Sequence, residues 1–196
     1  MKLVFATNNA HKLQEVREIL PENVEVISLH EIGFDKEIDE TGLTLEENSR
    51  IKAEEVYQFV MHNSQCTMID GVFADDTGLE IPALGGKPGV YTARWAGEPS
   101  NPENNRKKAL SELAGENNRQ AQFRTVVTLI RNGKIEQVEG VVRGEIATAE
   151  RGDGGFGYDP LFIPEGYDQT FAELPSKVKN GISHRARAMQ ALCKIL

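Results

Sequence analysis

Cysteine is nearly absent. Cys66 and Cys193 are the only two in 196 residues, which excludes a disulfide scaffold and a cysteine-based metal site. Long apolar runs are missing as well, and no stretch approaches the roughly 20 residues a helix needs to cross a bilayer. Met1-Lys2 runs straight into Leu3-Val4-Phe5-Ala6, without the apolar region and cleavage site of a secretory signal. The expectation is therefore no membrane partner and a cytoplasmic location. Positive charge is in deficit, with 22 Lys and Arg against 30 Asp and Glu and a net charge of −8. A broad electrostatic grip on a nucleic-acid polymer is thus excluded, although a few converging basic residues can still hold a small anion. No repeat, low-complexity tract or linker divides the chain.

What is present suits a folded domain. A hydrophobic fraction of 39% and a charged fraction of 27% are those of an ordinary globule, not of a disordered chain. The length fits a single domain over residues 1–196, arranged as two lobes around one sheet.

The stretch Val72-Phe-Ala-Asp-Asp-Thr-Gly-Leu79 organises the reading. An apolar run, read as a buried strand, meets two adjacent carboxylates and then a Thr-Gly turn that stops it. Buried aspartate is costly unless it is paired, hydrogen-bonded or bound to metal. Side chains alternate along a strand, so Asp75 and Asp76 point opposite ways, one to a cleft and one to the backbone. A purely structural Asx turn is the competing reading.

Taken in order, Lys2 to Thr7 reads as a first strand, and Leu13, Val16, Ile19 and Leu20 then recur at helical spacing up to Pro21. Thr7, Asn8 or Asn9 can cap that helix, whose free N–H groups form an anion site with Lys12 nearby. A second strand over Val24–Ser28 gives a β-α-β start with a parallel pair. An acidic segment ends at Glu40, and Thr44 with Glu47 carries the capping-box signature for a helix that includes Lys52. The Gly85-Gly-Lys-Pro-Gly89 stretch reads as an irregular loop, and Asn101-Pro102 starts a further helix. Ala121–Ile130 and Ile135–Ile146 flank Asn132-Gly133, the favoured dipeptide of a two-residue hairpin, so the sheet is mixed.

Gly152, Gly154 and Gly157 match a dinucleotide-binding pattern by letter, but Pro160 and a strand-like run follow where a helix is required. The stretch reads instead as a flexible loop presenting Phe156, Tyr158 and Asp159, with an aromatic ring to stack a base and a carboxylate to accept its ring N–H groups. Inward packing of these residues is the alternative. Lys177, Lys179, His184, Arg185 and Arg187 then form a basic cluster. Ser183 caps the last helix and puts two cations in its first turn, which the helix dipole disfavours unless an acceptor-rich ligand docks there.

Carboxylates at Glu40 and Asp76 suit Mg²⁺, and the basic groups suit phosphates, so a Mg²⁺-dependent nucleotide hydrolase is the sum. The chain also resembles the inosine triphosphate pyrophosphatase (Ham1-like) family. The resemblance lies in Thr7-Asn-Asn-Ala-His-Lys12, Glu40-Thr-Gly-Leu-Thr44, Ala74-Asp-Asp-Thr-Gly-Leu79, Gly86-Lys-Pro-Gly-Val-Tyr-Thr-Ala-Arg94, Gly155-Phe-Gly-Tyr-Asp-Pro160 and Ser183-His-Arg185. It implies an α/β fold with a long mixed β-sheet flanked by helices, two lobes with an active-site cleft between them, and a homodimer. It further implies cleavage of dITP, ITP and XTP to the monophosphate and pyrophosphate. Carried over by motif, Asp76 is the catalytic carboxylate and, with Glu40, a metal ligand. Thr7, Asn8, Asn9, Ala10, His11 and Lys12 hold the triphosphate with Thr77 at its edge, and Lys52 is a further basic group that suits phosphates. Phe156, Gly157, Tyr158 and Asp159 enclose the base with Lys179, His184 and Arg185, and Arg185 or a backbone N–H at that helix start is the expected donor to the 6-oxo group. A Maf-like pyrophosphatase, a non-catalytic nucleotide sensor and an aspartic protease built on Asp76-Thr77-Gly78 are the rival readings.

Overall fold

The computed structural model describes residues 1–66 and 68–196, with Gln65 described by its backbone alone. The chain begins with β1 (Lys2–Phe5), α1 (Ala10–Ile19) and β2 (Glu25–Ile27), and β1 and β2 pair in parallel as a β-α-β unit must. Asn9 caps α1 by accepting from the Lys12 N–H at 3.1 Å. The capping box at α2 (Leu45–His62) is present in full, with Thr44 accepting from Glu47 N and the Glu47 carboxylate accepting in return. Next come β3 (Gly71–Ile81), β4 (Lys87–Gly89) and α3 (Pro102–Glu112), the last capped by Asn101 with Pro102 in its first turn. The hairpin strands β5 (Gln120–Arg131) and β6 (Lys134–Ile146) follow, then β7 (Phe162–Pro164), α4 (Ser176–Ile182) and α5 (His184–Cys193). Asn132 and Gly133 both take positive φ, 52° and 74°, as the hairpin's two-residue turn requires.

Among the described residues, seven strands form one mixed sheet in the order β2-β1-β3-β5-β6-β7, with β4 also on β3. β1 runs parallel to β3, whereas β4 pairs with β3 and β7 with β6 in antiparallel fashion. Two compact units share these strands. One comprises Met1–Asp76, Thr125–Gly140 and Arg185–Leu196, and the other Thr77–Arg124 and Val141–His184.

The first unit buries apolar residues on both faces of its sheet. On one face Phe5 and Phe73, register partners on β1 and β3, stack at 4.6 Å among Val16 of α1 and Ala188 and Met189 of α5. On the other, Val72 and Ala74 pack with Ala53 and Val56 of α2. The second unit has its own core around Leu79, Ile81, Phe123, Val142, Tyr158 and Phe162. Its β6–β7 ladder needs a glycine, because a Cβ on Gly144 would lie 2.1 Å from the Ile163 carbonyl oxygen. Gly144→Ala is expected to cost about 1–3 kcal/mol as an overpacked site, read by urea denaturation. Wild-type stability in that variant would contradict the close pairing.

Two local expectations are corrected. The Thr77-Gly78 pair does not end the strand, since β3 continues to Ile81. Leu79 and Ile81 are fully buried and pair with β4 at Gly89 and Lys87, and this tertiary pairing outweighs the turn preference of Thr-Gly. For the same reason the stretch read as an irregular loop contains β4, whose three residues find a partner strand in β3.

Candidate active site

Strand alternation decides what each aspartate meets. Asp75 follows Phe73 and faces α1 and α5, while Asp76 follows Val72 and Ala74 and faces α2. Both are buried, at 1% and 7% exposure, in the interior of a strand. Burial of that kind demands charge partners, and each aspartate has its own.

Asp76 Oδ1 lies 3.3 Å from the Lys52 ammonium, which also donates to Glu40 Oε1 at 2.9 Å. Lys52 therefore bridges two carboxylates brought together from a loop and a strand. The second oxygen of Asp76, Oδ2, is buried with no hydrogen-bond partner among the described residues. Burial pushes the Asp76 carboxyl above the usual carboxylate range; Lys52 and Lys12 oppose the rise, and Glu40 and Asp75 add to it. Burial works against the Lys52 ammonium too, yet Asp76 and Glu40 outweigh it and hold its pKa above that of an ordinary lysine.

Asp75 is the counter-ion of two cations. Lys12 Nζ donates to Oδ1 at 2.9 Å, and Arg185 Nε to Oδ2 at 3.3 Å. Arg185 also pairs with Glu15 of α1 through Nη1. Burial opposes ionisation of Asp75, but Lys12, Arg185 and Lys52 overcome it and hold the carboxyl well below the usual range. Arg185, in the first turn of the last helix, is thus balanced by protein carboxylates, and its charge has partners without a ligand. A guanidinium at 2% exposure is stable because Asp75 and Glu15 surround it.

The α1 N-terminus occupies the same unit. Thr7 Oγ1 accepts from the Asn9 N–H at 3.2 Å, and Asn9 serves as the cap. Asn8, Asn9, Ala10 and His11 are exposed and Thr7 is half-buried, so the first turn faces solvent. Thr77, the first residue of the other unit, is half-buried on β3.

The base-binding candidates Phe156, Gly157, Tyr158, Asp159, Lys179 and His184 all belong to the second unit. Asp159 is a brace: Oδ2 accepts from the Phe156 N–H and from the Lys179 ammonium, both at 2.7 Å. A Cβ on Gly155 would come within 2.1 Å of that oxygen, which explains the glycine. Tyr158 is buried in the core and donates to the Thr92 carbonyl at 2.9 Å. The expectation that Tyr158 and Asp159 present their side chains outward is therefore corrected. A buried phenol and carboxylate need internal partners, and the loop supplies them. Phe156 remains half-exposed, with the Lys179 ammonium 5.0 Å from its ring centroid. His184 stacks on Phe123 at 4.6 Å and lies near Phe171.

Several contributors escape sequence reasoning. Glu15 sits three residues after Lys12 on the same face of α1, where it pairs with Arg185. Arg106 donates to the Gly157 carbonyl at 2.9 Å and pairs with Glu150, so α3 supports the glycine loop. No local pattern marks it.

The donor set around Asp76 fits a hard divalent cation. Lys12, Lys52 and Arg185 face Glu15, Glu40, Asp75 and Asp76, leaving one negative charge in excess. A buried oxygen on Asp76 lacks a partner among the described residues. Among the described residues no group of three or more His, Cys, Asp or Glu forms a protein-only metal cage. Mg²⁺ takes one or two carboxylates and completes its shell with other oxygens, and Glu40 and Asp76 supply such a pair.

Fold and centre together define an α/β protein in which a buried carboxylate–lysine centre is joined, through Lys12 and Asp75, to a capped helix N-terminus suited to anions. The chain belongs to the Ham1 family, whose model matches residues 3–195. It is 47% identical to the dITP/XTP pyrophosphatase of Flavobacterium johnsoniae over 196 residues, covering 100% of this chain and 98% of that protein. Its identity to the Bacillus subtilis dITP/XTP pyrophosphatase is 49% over 197 residues, covering 98% and 96%. The structure of the Staphylococcus aureus Ham1 protein superimposes with a TM-score of 0.85 at 37% identity, covering 100% of this chain and 97% of that one. The mixed α/β sheet is that of Ham1 structures. Among the described residues no helix is long and apolar enough to cross a membrane.

Proposed function

We propose that this protein hydrolyses the non-canonical purine nucleoside triphosphates dITP, ITP and XTP to the monophosphate and pyrophosphate. The observation that carries the reading is the buried Asp76–Lys52–Glu40 centre, in a chain nearly half identical to named dITP/XTP pyrophosphatases along its whole length.

Asp76 accepts the proton of the attacking water. One carboxylate oxygen takes the proton while the other serves the cation, so that Asp76 acts as base and ligand together. Lys52 remains a cation at neutral pH and offsets the charge of the centre. Lys12, the start of α1 and the residues leading into it from Thr7 to His11 take phosphate oxygens, where N–H groups and the helix dipole favour anions. Thr77 adds a hydroxyl. Glu40 and Asp76 would hold Mg²⁺, which when bound would neutralise phosphate charge. In the second unit Phe156 offers a ring for stacking, and Lys179 and His184 line the base group. Asp159 and Gly157 act by holding that loop. Arg185 acts through Asp75, by keeping the carboxylate that orients Lys12. The protein works as one domain over residues 1–196 and as a cytoplasmic homodimer.

The test is pyrophosphate release from dITP, ITP, XTP, GTP and ATP, with and without Mg²⁺. The expected result is Mg²⁺-dependent release with kcat/KM about 10²-fold or more higher for the first three than for ATP, as for a site that matches a 6-oxo group. Equal turnover across the panel would contradict the substrate assignment.

A further inference from the structure

We propose that Asn48 is a positioning residue that sets Glu40 for cation binding by holding the amide of Gly42. This rests on the reading of Glu40 as a metal ligand given above.

Asn48 lies in the second turn of α2 and is fully buried. Its Oδ1 accepts from the Gly42 N–H at 2.8 Å, two residues after Glu40. Four residues further along the same helix face, Lys52 holds the Glu40 carboxylate at 2.9 Å. The loop is therefore gripped twice by α2, at its backbone by Asn48 and at its side chain by Lys52. Glu47 continues the grip by accepting from the N–H groups of Leu43 and Thr44 at 2.6 and 3.2 Å. Packing does not provide this restraint, because Thr41 is exposed and Leu43 is 77% exposed. Hydrogen bonds are what fix the segment.

Two further observations support a role for Asn48 beyond filling space. Its Nδ2 is buried with no hydrogen-bond partner among the described residues, a cost that an apolar side chain of similar volume would avoid. Stability alone thus disfavours asparagine here, and the Oδ1 contact is what the residue contributes. Gly42 is equally constrained, since a Cβ there would lie 2.7 Å from Asn48 Oδ1 and 2.6 Å from Glu47 Cβ. The amide can approach Asn48 only because residue 42 has no side chain.

The experiment compares wild type, Asn48→Ala, Gly42→Ala and the double variant. Two readouts are used: amide hydrogen exchange at residue 42, and the Mg²⁺ concentration giving half-maximal pyrophosphate release from ITP. Asn48→Ala is expected to remove protection at the Gly42 amide and raise half-saturating Mg²⁺ about 10- to 100-fold, as for other partners that orient a ligand. Turnover at saturating Mg²⁺ should stay near wild type. Gly42→Ala, which keeps Asn48 and serves should Asn48→Ala fail to fold, should shift Mg²⁺ dependence in the same direction. The double variant should be no worse than the worse single one, because both changes break one contact. Wild-type Mg²⁺ dependence in both single variants, retained protection at Gly42 in Asn48→Ala, or additive effects would overturn the inference. A wild-type enzyme indifferent to Mg²⁺ would instead contradict the metal reading of Glu40 and remove this inference with it.

Discussion

Asp76→Asn lowers ITP turnover by about 10²-fold or more while leaving the fold as stable as wild type or slightly more so. The two halves of this expectation share one cause. Folding buries the Asp76 carboxylate and raises its pKa, so the ionised form is disfavoured in the folded state. A neutral isostere relieves that cost, and Lys52 keeps Glu40 as a partner at 2.9 Å. Asparagine cannot accept the proton, however, so chemistry fails while stability holds. Steady-state kinetics alongside a urea titration checks both halves. Near-normal Mg²⁺-dependent turnover would remove Asp76 from the mechanism. A severe loss of stability would show that its charge supports the fold.

The neighbouring residue is expected to behave in the opposite way. Asp75→Ala leaves Lys12 and Arg185 without their shared counter-ion in a buried setting, which costs about 3–5 kcal/mol. The pH dependence follows from the sign of the shift. A carboxyl whose folded pKa is depressed contributes stability that is fully present above its unfolded pKa of about 3.9 and is lost as pH falls toward the folded value. The stability gap between wild type and Asp75→Ala should therefore be widest near neutrality and should narrow below about pH 4. Urea midpoints measured from pH 7 to pH 3 test this. A gap that stays constant across the range would mean that the ion pairs contribute little. Two adjacent aspartates thus separate cleanly, one carrying activity and the other stability.

Much of this was legible in the chain, for identifiable physical reasons. Local chemistry announced itself: Asn9, Thr44 with Glu47, and Asn101 with Pro102 are caps whose partners lie within a few residues. Asn132-Gly133 fixed its hairpin because few dipeptides accept two positive φ values. The opposite facing of Asp75 and Asp76 followed from the two-residue period of a strand. What stayed hidden depends on contacts remote in sequence. The continuation of β3 through Thr77-Gly78 rests on pairing with β4 and on a core that no local window contains. The occupation of Arg185 by Asp75 and Glu15 joins residues up to 170 positions apart. Asp159 looked like an open acceptor because its composition was visible and its bonds to Phe156 and Lys179 were not.

The central claim is that the Asp76 centre directs water to cleave between the α- and β-phosphates. The most direct measurement is ³¹P NMR of the products formed from dITP by the wild-type protein with Mg²⁺. The expected spectrum shows deoxyinosine monophosphate and pyrophosphate appearing in equal amounts, with no orthophosphate at early times. Deoxyinosine diphosphate with orthophosphate would contradict the account.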